Sequence, residues 1–262
     1  MNHTKELFSL EGKVAIVTGG RGMYGASISR GLCEMGAAVI IASRNGEKCD
    51  AYAATLRNEG YDAVGMSMDL MEDASIRAFC REVADRYGKI DILVNNAVDR
   101  SNMVNLENAT REKLQNSAST NLQGQILLTQ AVLEHMIPAK SGSIINIGSM
   151  RGVDCPHFPF YPGPWGDQPI NYTTEKWAMV GFTKYMAGYC GKYNIRVNCI
   201  APGGYWEGPT DDPFYKTYME HCPLGRWADE NDIKGPVAFL ASDAAGYVTG
   251  ATLVMDGGWT IW

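Results

Sequence analysis

Tyr172 and Lys176 stand four residues apart at the start of a stretch with helical spacing, so a phenol and an ammonium share one face of one turn. Ser149 follows an apolar run upstream, and a glycine-rich turn at 19–25 follows another near the N-terminus. A hydroxyl, a phenol and an ammonium suit proton transfer at an oxygen atom. A glycine turn between strand and helix suits a pyrophosphate, because glycine lets backbone approach it and the helix N-terminus supplies N–H donors. Taken in order along one chain, these residues point to hydride transfer between a carbinol carbon and a nicotinamide. Any one of them alone says little, since the chain has 13 tyrosines and Tyr-x-x-x-Lys arises readily by chance. The alternatives are a ligand-free strand–helix turn and a solvent-exposed Tyr–Lys pair.

These groups need strands and helices to hold them in register. Runs at 14–17, 38–42, 63–66, 90–94, 143–147, 196–200 and 252–255 predict strands, several rich in Val and Ile with little polar alternation, as in strands covered on both faces. Stretches at 22–35, 47–58, 74–87, 112–136, 173–193 and 229–242 carry helical spacing; Ile76, Phe79, Cys80 and Val83, for example, share one face. Alternating strand and helix implies right-handed crossovers and an α/β, Rossmann-type doubly wound parallel sheet with helices on both faces. The length of 262 residues suits one domain spanning 1–262. Two stretches, 153–170 and 202–223, read as irregular substrate loops, because both follow strands at the edge where open α/β sheets bind ligands.

Bulk properties argue against other classes. A hydrophobic content of 45%, a charged content of 20% and a net charge of −6 are ordinary for a globular protein, and no basic run suggests nucleic acid. No apolar run approaches the ~20 residues that cross a bilayer, so no membrane span is expected. The opening ten residues carry Lys5 and Glu6 and no long apolar core, unlike a signal peptide. The seven cysteines are scattered without a CxxC pair, which predicts reduced thiols and a cytoplasmic setting. The four histidines are equally dispersed, so no metal site is expected.

The run Thr18 to Gly25, taken with Ser149, Tyr172 and Lys176, resembles the short-chain dehydrogenase/reductase family. The family's turn reads Thr-Gly-x-x-x-Gly-x-Gly; Thr18, Gly19 and Gly25 match, Met23 stands at the middle glycine, and Gly22 lies one place earlier. Asp69-Leu70 after the third strand and Asn95-Asn96-Ala97 after the fourth are similar to its cofactor pocket. Pro202-Gly203 and Asp256-Gly-Gly258 extend the likeness over nearly the whole chain. The resemblance implies that Tyr172 is the general acid/base, that Lys176 tunes it and holds the nicotinamide ribose, and that Ser149 donates to the substrate oxygen. It also implies that Asn121, in the helix before the fifth strand, positions a water for proton relay. The cofactor residues it implies are Gly19, Arg21, Gly22, Met23, Gly25, Ser43, Arg44, Asp69, Leu70, Asn96, Ala97, Pro202 and Gly203, with Tyr172 and Lys176. The family's dihedral tetramers imply a homotetramer or homodimer.

Where the chain leaves the pattern, it gains character. The second strand ends Ile41-Ala-Ser-Arg44 with no acidic residue before Glu47, so a hydroxyl and a guanidinium stand where NAD sites place a carboxylate. This favours NADP(H) over NAD(H), with Arg21 as a second cation; the alternative for Arg44 is a solvated loop position. Between Ser149 and Tyr172 lie 22 residues, more than the family usually has, dense in proline and aromatics. His157, Tyr161, Trp165 and Asp167 there are either substrate contacts or a plug against a neighbouring subunit. In the second loop Glu207 replaces the family's threonine, and Tyr205 and Trp206 either line the pocket or pack beneath a lid. The tail ends on Ile261 and Trp262, two large apolar groups suited to burial against another subunit. Leu10-Glu-Gly-Lys-Val near the start and Asp256-Gly-Gly-Trp259 near the end are similar to gluconate 5-dehydrogenase-like members acting on sugars, sugar acids and polyols. A small polar secondary alcohol is therefore the expected substrate. The alternatives are a reductase of 3-oxoacyl or cyclic, steroid-like ketones and a non-catalytic NADP(H)-binding sensor.

Overall fold

Strands β1 (Val14–Thr18), β2 (Ala38–Ser43), β3 (Ala63–Ser67), β4 (Ile92–Asn95), β5 (Gly142–Ile147), β6 (Ile195–Pro202) and β7 (Thr252–Met255) form one sheet in the order β3-β2-β1-β4-β5-β6-β7. Every pairing is parallel, with Val17 opposite Ile41 and Ile147 opposite Ile200. These relationships come from a computed structural model that describes residues 3–161 and 168–261. All residues of β1 and β4 are buried, as the unbroken apolar runs predict, whereas the edge strands β3 and β7 are partly exposed.

Helices α1 (Thr4–Leu7), α2 (Tyr24–Glu34), α3 (Gly46–Asn58), α4 (Asp73–Tyr87), α5 (Arg111–Ala118), α6 (Gln125–Ala139), α7 (Ile170–Cys190), α8 (Pro213–His221) and α9 (Lys234–Ala241) surround that sheet. Alternate strand residues feed two cores. Ala15 and Val17 pack with Ile28, Leu32 and Val237 on the face covered by α2, α3 and α9, while Ile16 and Leu93 pack with Phe79, Leu128 and Val132 on the opposite face. A third cluster of Tyr161, Phe214, Tyr218 and Trp259 stands apart from both.

Three departures from the predicted elements have physical causes. The helix expected over 112–136 is interrupted by a π-helical turn at Ser119–Gly124, where Gly124 lies so close to Leu70 that a Cβ would strike its carbonyl oxygen. The loop expected over 202–223 contains α8, which Asp212 caps through a bond from the Phe214 N–H and which Pro213 opens. The helix expected from 229 begins at Lys234, because Asp232 accepts from the Asp229 N–H at 2.7 Å and receives the Arg226 fork, holding a turn there instead.

A buried polar ladder fixes helices to strands at the sheet centre. Asn95 Nδ2 donates to Thr129 Oγ1 on α6 at 3.0 Å and to Asn146 Oδ1 on β5 at 2.9 Å, and Asn146 Nδ2 donates to Thr183 Oγ1 on α7 at 2.9 Å. Replacing Asn146 with leucine removes two buried bonds of this ladder at once and leaves Asn95 held by Thr129 and Thr183 by the Met179 carbonyl alone. Asn146→Leu is therefore expected to lower unfolding free energy by about 2–3 kcal/mol, read from urea denaturation at unchanged m-value.

Candidate active site

The strand order reverses between β1 and β4, and the glycine turn sits at that switch point. Thr18 Oγ1 accepts from the backbone N–H groups of Asn96 and Ala97 at 2.9 and 3.0 Å. Asn96 Nδ2 returns bonds to the Thr18 and Gly19 carbonyls at 2.9 and 3.2 Å. Gly19 adopts φ +63°, and a Cβ there would lie 3.1 Å from Ala97 Cα. A Cβ on Gly25 would strike the Gly19 carbonyl, so the N-terminus of α2 is drawn tightly onto β1. No side chain caps that helix end, and Gly22, Met23 and Tyr24 border the adjoining cleft. An open cradle with an uncapped helix N-terminus fits a dinucleotide pyrophosphate. Met23 is the exception: at φ 43°, ψ −130° it occupies backbone space that favours glycine.

Beyond the turn, a cavity of about 290 Å³ lies between the ends of β1, β2 and β3, bordered by Arg21, Ser43, Arg44, Asp69, Leu70 and Ala97 among others. Arg21 and Arg44 are exposed, and neither takes part in an ion pair among the described residues. The Ser43 hydroxyl donates to the Asn45 carbonyl and accepts from its N–H, both at 3.3 Å, so it already serves the turn into α3.

On the other side of the turn a cleft of about 560 Å³ brings together Ser149, Tyr172, Lys176, Pro202 and Gly203. Ser149 leaves the end of β5 and caps a 3-10 turn over Met150–Gly152, its Oγ accepting from the Arg151 N–H at 3.1 Å. Tyr172 lies in the first turn of α7, with Lys176 one turn on. The buried Lys176 Nζ donates to the Ile147 carbonyl at 2.8 Å and stands 5.6 Å from the centre of the Tyr172 ring. Asn121 does not border this cleft. It lies in the π-turn, where Oδ1 accepts from the Asp99 N–H at 2.7 Å and Nδ2 donates to Glu175 Oε2 at 2.9 Å and to the Asp99 carbonyl at 3.0 Å.

The aromatic candidates separate. Tyr161 and Tyr205 border the cleft. His157 does not; it is exposed, with its ring 4.2 Å from that of Phe160. Trp206 packs beneath the wall, 4.8 Å from Trp227, with its indole N–H donating to the Pro209 carbonyl at 3.2 Å. Trp165 and Asp167 lie outside the described residues. Trp262 also lies outside them, while Ile261 is exposed and Trp259 is buried within its own chain, stacked 4.4 Å from Tyr218.

The wall contains residues that sequence reasoning missed: Arg151, Phe214, Tyr218 and Trp227. Phe214 and Tyr218 sit one turn apart on α8, and the Asp-Pro capping signature at 212–213 would have revealed that helix. Burial pushes the Tyr218 phenol up to about 12, so it stays neutral and accepts from the Gly204 N–H at 2.8 Å. Burial lowers the Arg151 guanidinium from its ordinary value. Only folding brings Trp227 to the wall, and no local signal marks it.

A short-chain dehydrogenase family profile described as Enoyl-(Acyl carrier protein) reductase matches residues 21–260. The chain is 36% identical to D-threitol dehydrogenase of Mycolicibacterium smegmatis over 97% of this chain and 95% of that protein. It is 34% identical to the 3-oxoacyl-(acyl-carrier-protein) reductase FabG of Aquifex aeolicus over 95% of this chain and 98% of that one. A crystal structure of a gluconate 5-dehydrogenase from Burkholderia cenocepacia J2315, in complex with NADP and tartrate, has a TM-score of 0.89 at 34% identity, covering 99% of this chain and 100% of that chain.

Met23→Gly is expected to raise unfolding free energy by about 1 kcal/mol, the backbone strain relieved exceeding the added freedom of the unfolded chain. Equilibrium denaturation measures it, and an unchanged or lowered value would show that the turn carries no strain at this position.

Proposed function

The chain belongs to the short-chain dehydrogenase/reductase family, and on that premise we propose that it interconverts a small polar secondary alcohol and its ketone with NADP(H). That it is an oxidoreductase acting on CH–OH groups with NAD(P) follows from the family. The observation that carries the finer reading is the meeting of Ser149, Tyr172 and Lys176 in one cleft beside the glycine turn.

Gly19, Gly22, Met23 and Gly25 would hold the pyrophosphate against α2, with Asn96 and Ala97 behind it. Asp69 and Leu70 would border the adenine, while Pro202 and Gly203 would close the nicotinamide end. Arg44, supported by Arg21, would meet a 2′-phosphate; Ser43 would contribute less, since its hydroxyl is engaged locally. When bound, the nicotinamide takes up or supplies the hydride. Tyr172 takes the proton from the substrate hydroxyl during oxidation and returns it to the ketone oxygen during reduction. Lys176 holds a positive charge near the Tyr172 ring, stabilising negative charge on the phenol oxygen as the proton leaves. Ser149 donates to the substrate oxygen and stabilises developing alkoxide. Asn121, held outside the cleft by Asp99 and Glu175, would position a water for proton relay.

The threitol and gluconate dehydrogenase relatives support a polyol, sugar or sugar-acid substrate. The aromatic wall and the 3-oxoacyl reductase relative favour a second reading, reduction of a bulkier ketone. A cytoplasmic setting and a homodimer or homotetramer belong to the same proposal; exposed Trp177, Tyr185 and Tyr189 give α7 an apolar outer surface for assembly.

Tyr172→Phe is expected to lower kcat by about 10²–10⁴-fold while NADPH affinity, read by fluorescence titration, changes by less than about threefold. Wild-type turnover in that variant would remove Tyr172 from the acid/base role. Arg44→Ala should weaken NADPH about tenfold or more while sparing NADH. Equal losses for the two cofactors would end the phosphate-clamp assignment.

A further inference from the structure

Arg151 is a buried cation that makes no ion pair among the described residues. It is 5% exposed, lies two residues beyond Ser149, and borders the same cleft. Its Nη1 has no hydrogen-bond partner, and no carboxylate pairs with it among the described residues. Arg196, the neighbouring strand's partly buried guanidinium, shows the contrast: it donates to the Leu240 and Ser242 carbonyls at 2.8 and 3.0 Å. What meets Arg151 is the Tyr161 ring, 5.0 Å from Cζ, and the Tyr161 hydroxyl is also buried at the edge of this cleft without a hydrogen-bond partner among the described residues. A desolvated guanidinium is costly unless an anion or several acceptors meet it, and two orphaned donors on one wall call for an acceptor-rich ligand group.

We propose that Arg151, with the Tyr161 hydroxyl, forms a carboxylate-binding subsite, so that the substrate is a hydroxy acid or its oxo acid rather than a neutral polyol. This rests on the alcohol–ketone reading above and names the substrate class of that site. The planar guanidinium fork matches two carboxylate oxygens, whereas a neutral hydroxyl adds no charge to a buried cation on which the Asp154 carboxylate acts without ion-pair contact. Lys176, the other buried cation of the cleft, already donates to the Ile147 carbonyl. Arg100 also borders the cleft but is exposed, and so discriminates weakly. Because Ser149 Oγ accepts from the Arg151 backbone, the anion's anchor and the oxygen's hydrogen-bond donor ride on the same short turn. That coupling fixes which carbon of an acid chain faces the nicotinamide.

Threonate and threitol, four-carbon compounds differing by a terminal carboxylate, test this with NADP⁺ and the intact protein. The wild type is expected to favour threonate, and Arg151→Met to lower the threonate-to-threitol ratio of kcat/KM by about 30–300-fold, with Arg151→Lys intermediate. A wild type that prefers threitol, or an Arg151→Met ratio equal to wild type, overturns the subsite. Should neither compound turn over, tryptophan-fluorescence titration with malonate decides. Saturable malonate binding that Arg151→Met abolishes, at a retained cooperative melt, upholds the subsite and places the failure in the redox reading. Absence of saturable malonate binding to the wild type overturns it.

Discussion

The bond from Lys176 Nζ to the Ile147 carbonyl, 2.8 Å long and buried, ties the first turns of α7 to the end of β5. An ammonium removed from water needs such partners, and here the partner is the backbone of the strand that delivers Ser149. Gly152 closes the arrangement: a Cβ there would lie 2.5 Å from the Lys176 carbonyl, so the turn carrying Ser149 and Arg151 packs directly on α7. Serine, phenol and ammonium reach one cleft because strand end and helix start cannot separate without stranding that charge.

The same logic of buried polar groups recurs at the dinucleotide end. Thr18 and Asn96 bind each other's backbone across the switch point, and the glycines beyond them leave space that side chains would fill. Met23 breaks the pattern with a strained backbone at the mouth of that space. The fold tolerates it because the turn is braced on both sides by bonds that do not involve Met23.

The third layer is aromatic. Trp227 lies over Tyr218 at 3.6 Å and Trp259 at 4.4 Å from the same ring, so α8, the residues after it and the C-terminal turn form one stacked wall. This wall lines one side of the cleft with aromatic rings and supplies few hydrogen-bonding groups. In the proposed reading, polar discrimination then falls to Ser149, Tyr172 and the pair Arg151 and Tyr161, whose effects strengthen as the surroundings dry.

Strand and helix order were legible in the sequence because unbroken Val/Ile runs and a 3.6-residue period are local signals; all seven expected strands lie where those runs stand. So were the glycine turn and the Tyr172–Lys176 pair, since one turn of helix sets their spacing without reference to the rest of the chain. The π-turn around Asn121 was not legible, because it answers to contacts with Asp99 and Glu175 far along the chain. Nor were the placements of His157 and Trp206, since an aromatic side chain serves a surface, a buried cluster or a cleft equally well by type alone. Only the tertiary structure decided that Arg151 is buried with its Nη1 unbonded among the described residues and that Trp227 reaches the wall. Burial and unmet hydrogen bonds are properties of neighbours, and those neighbours come from α7, α8 and the loops between them.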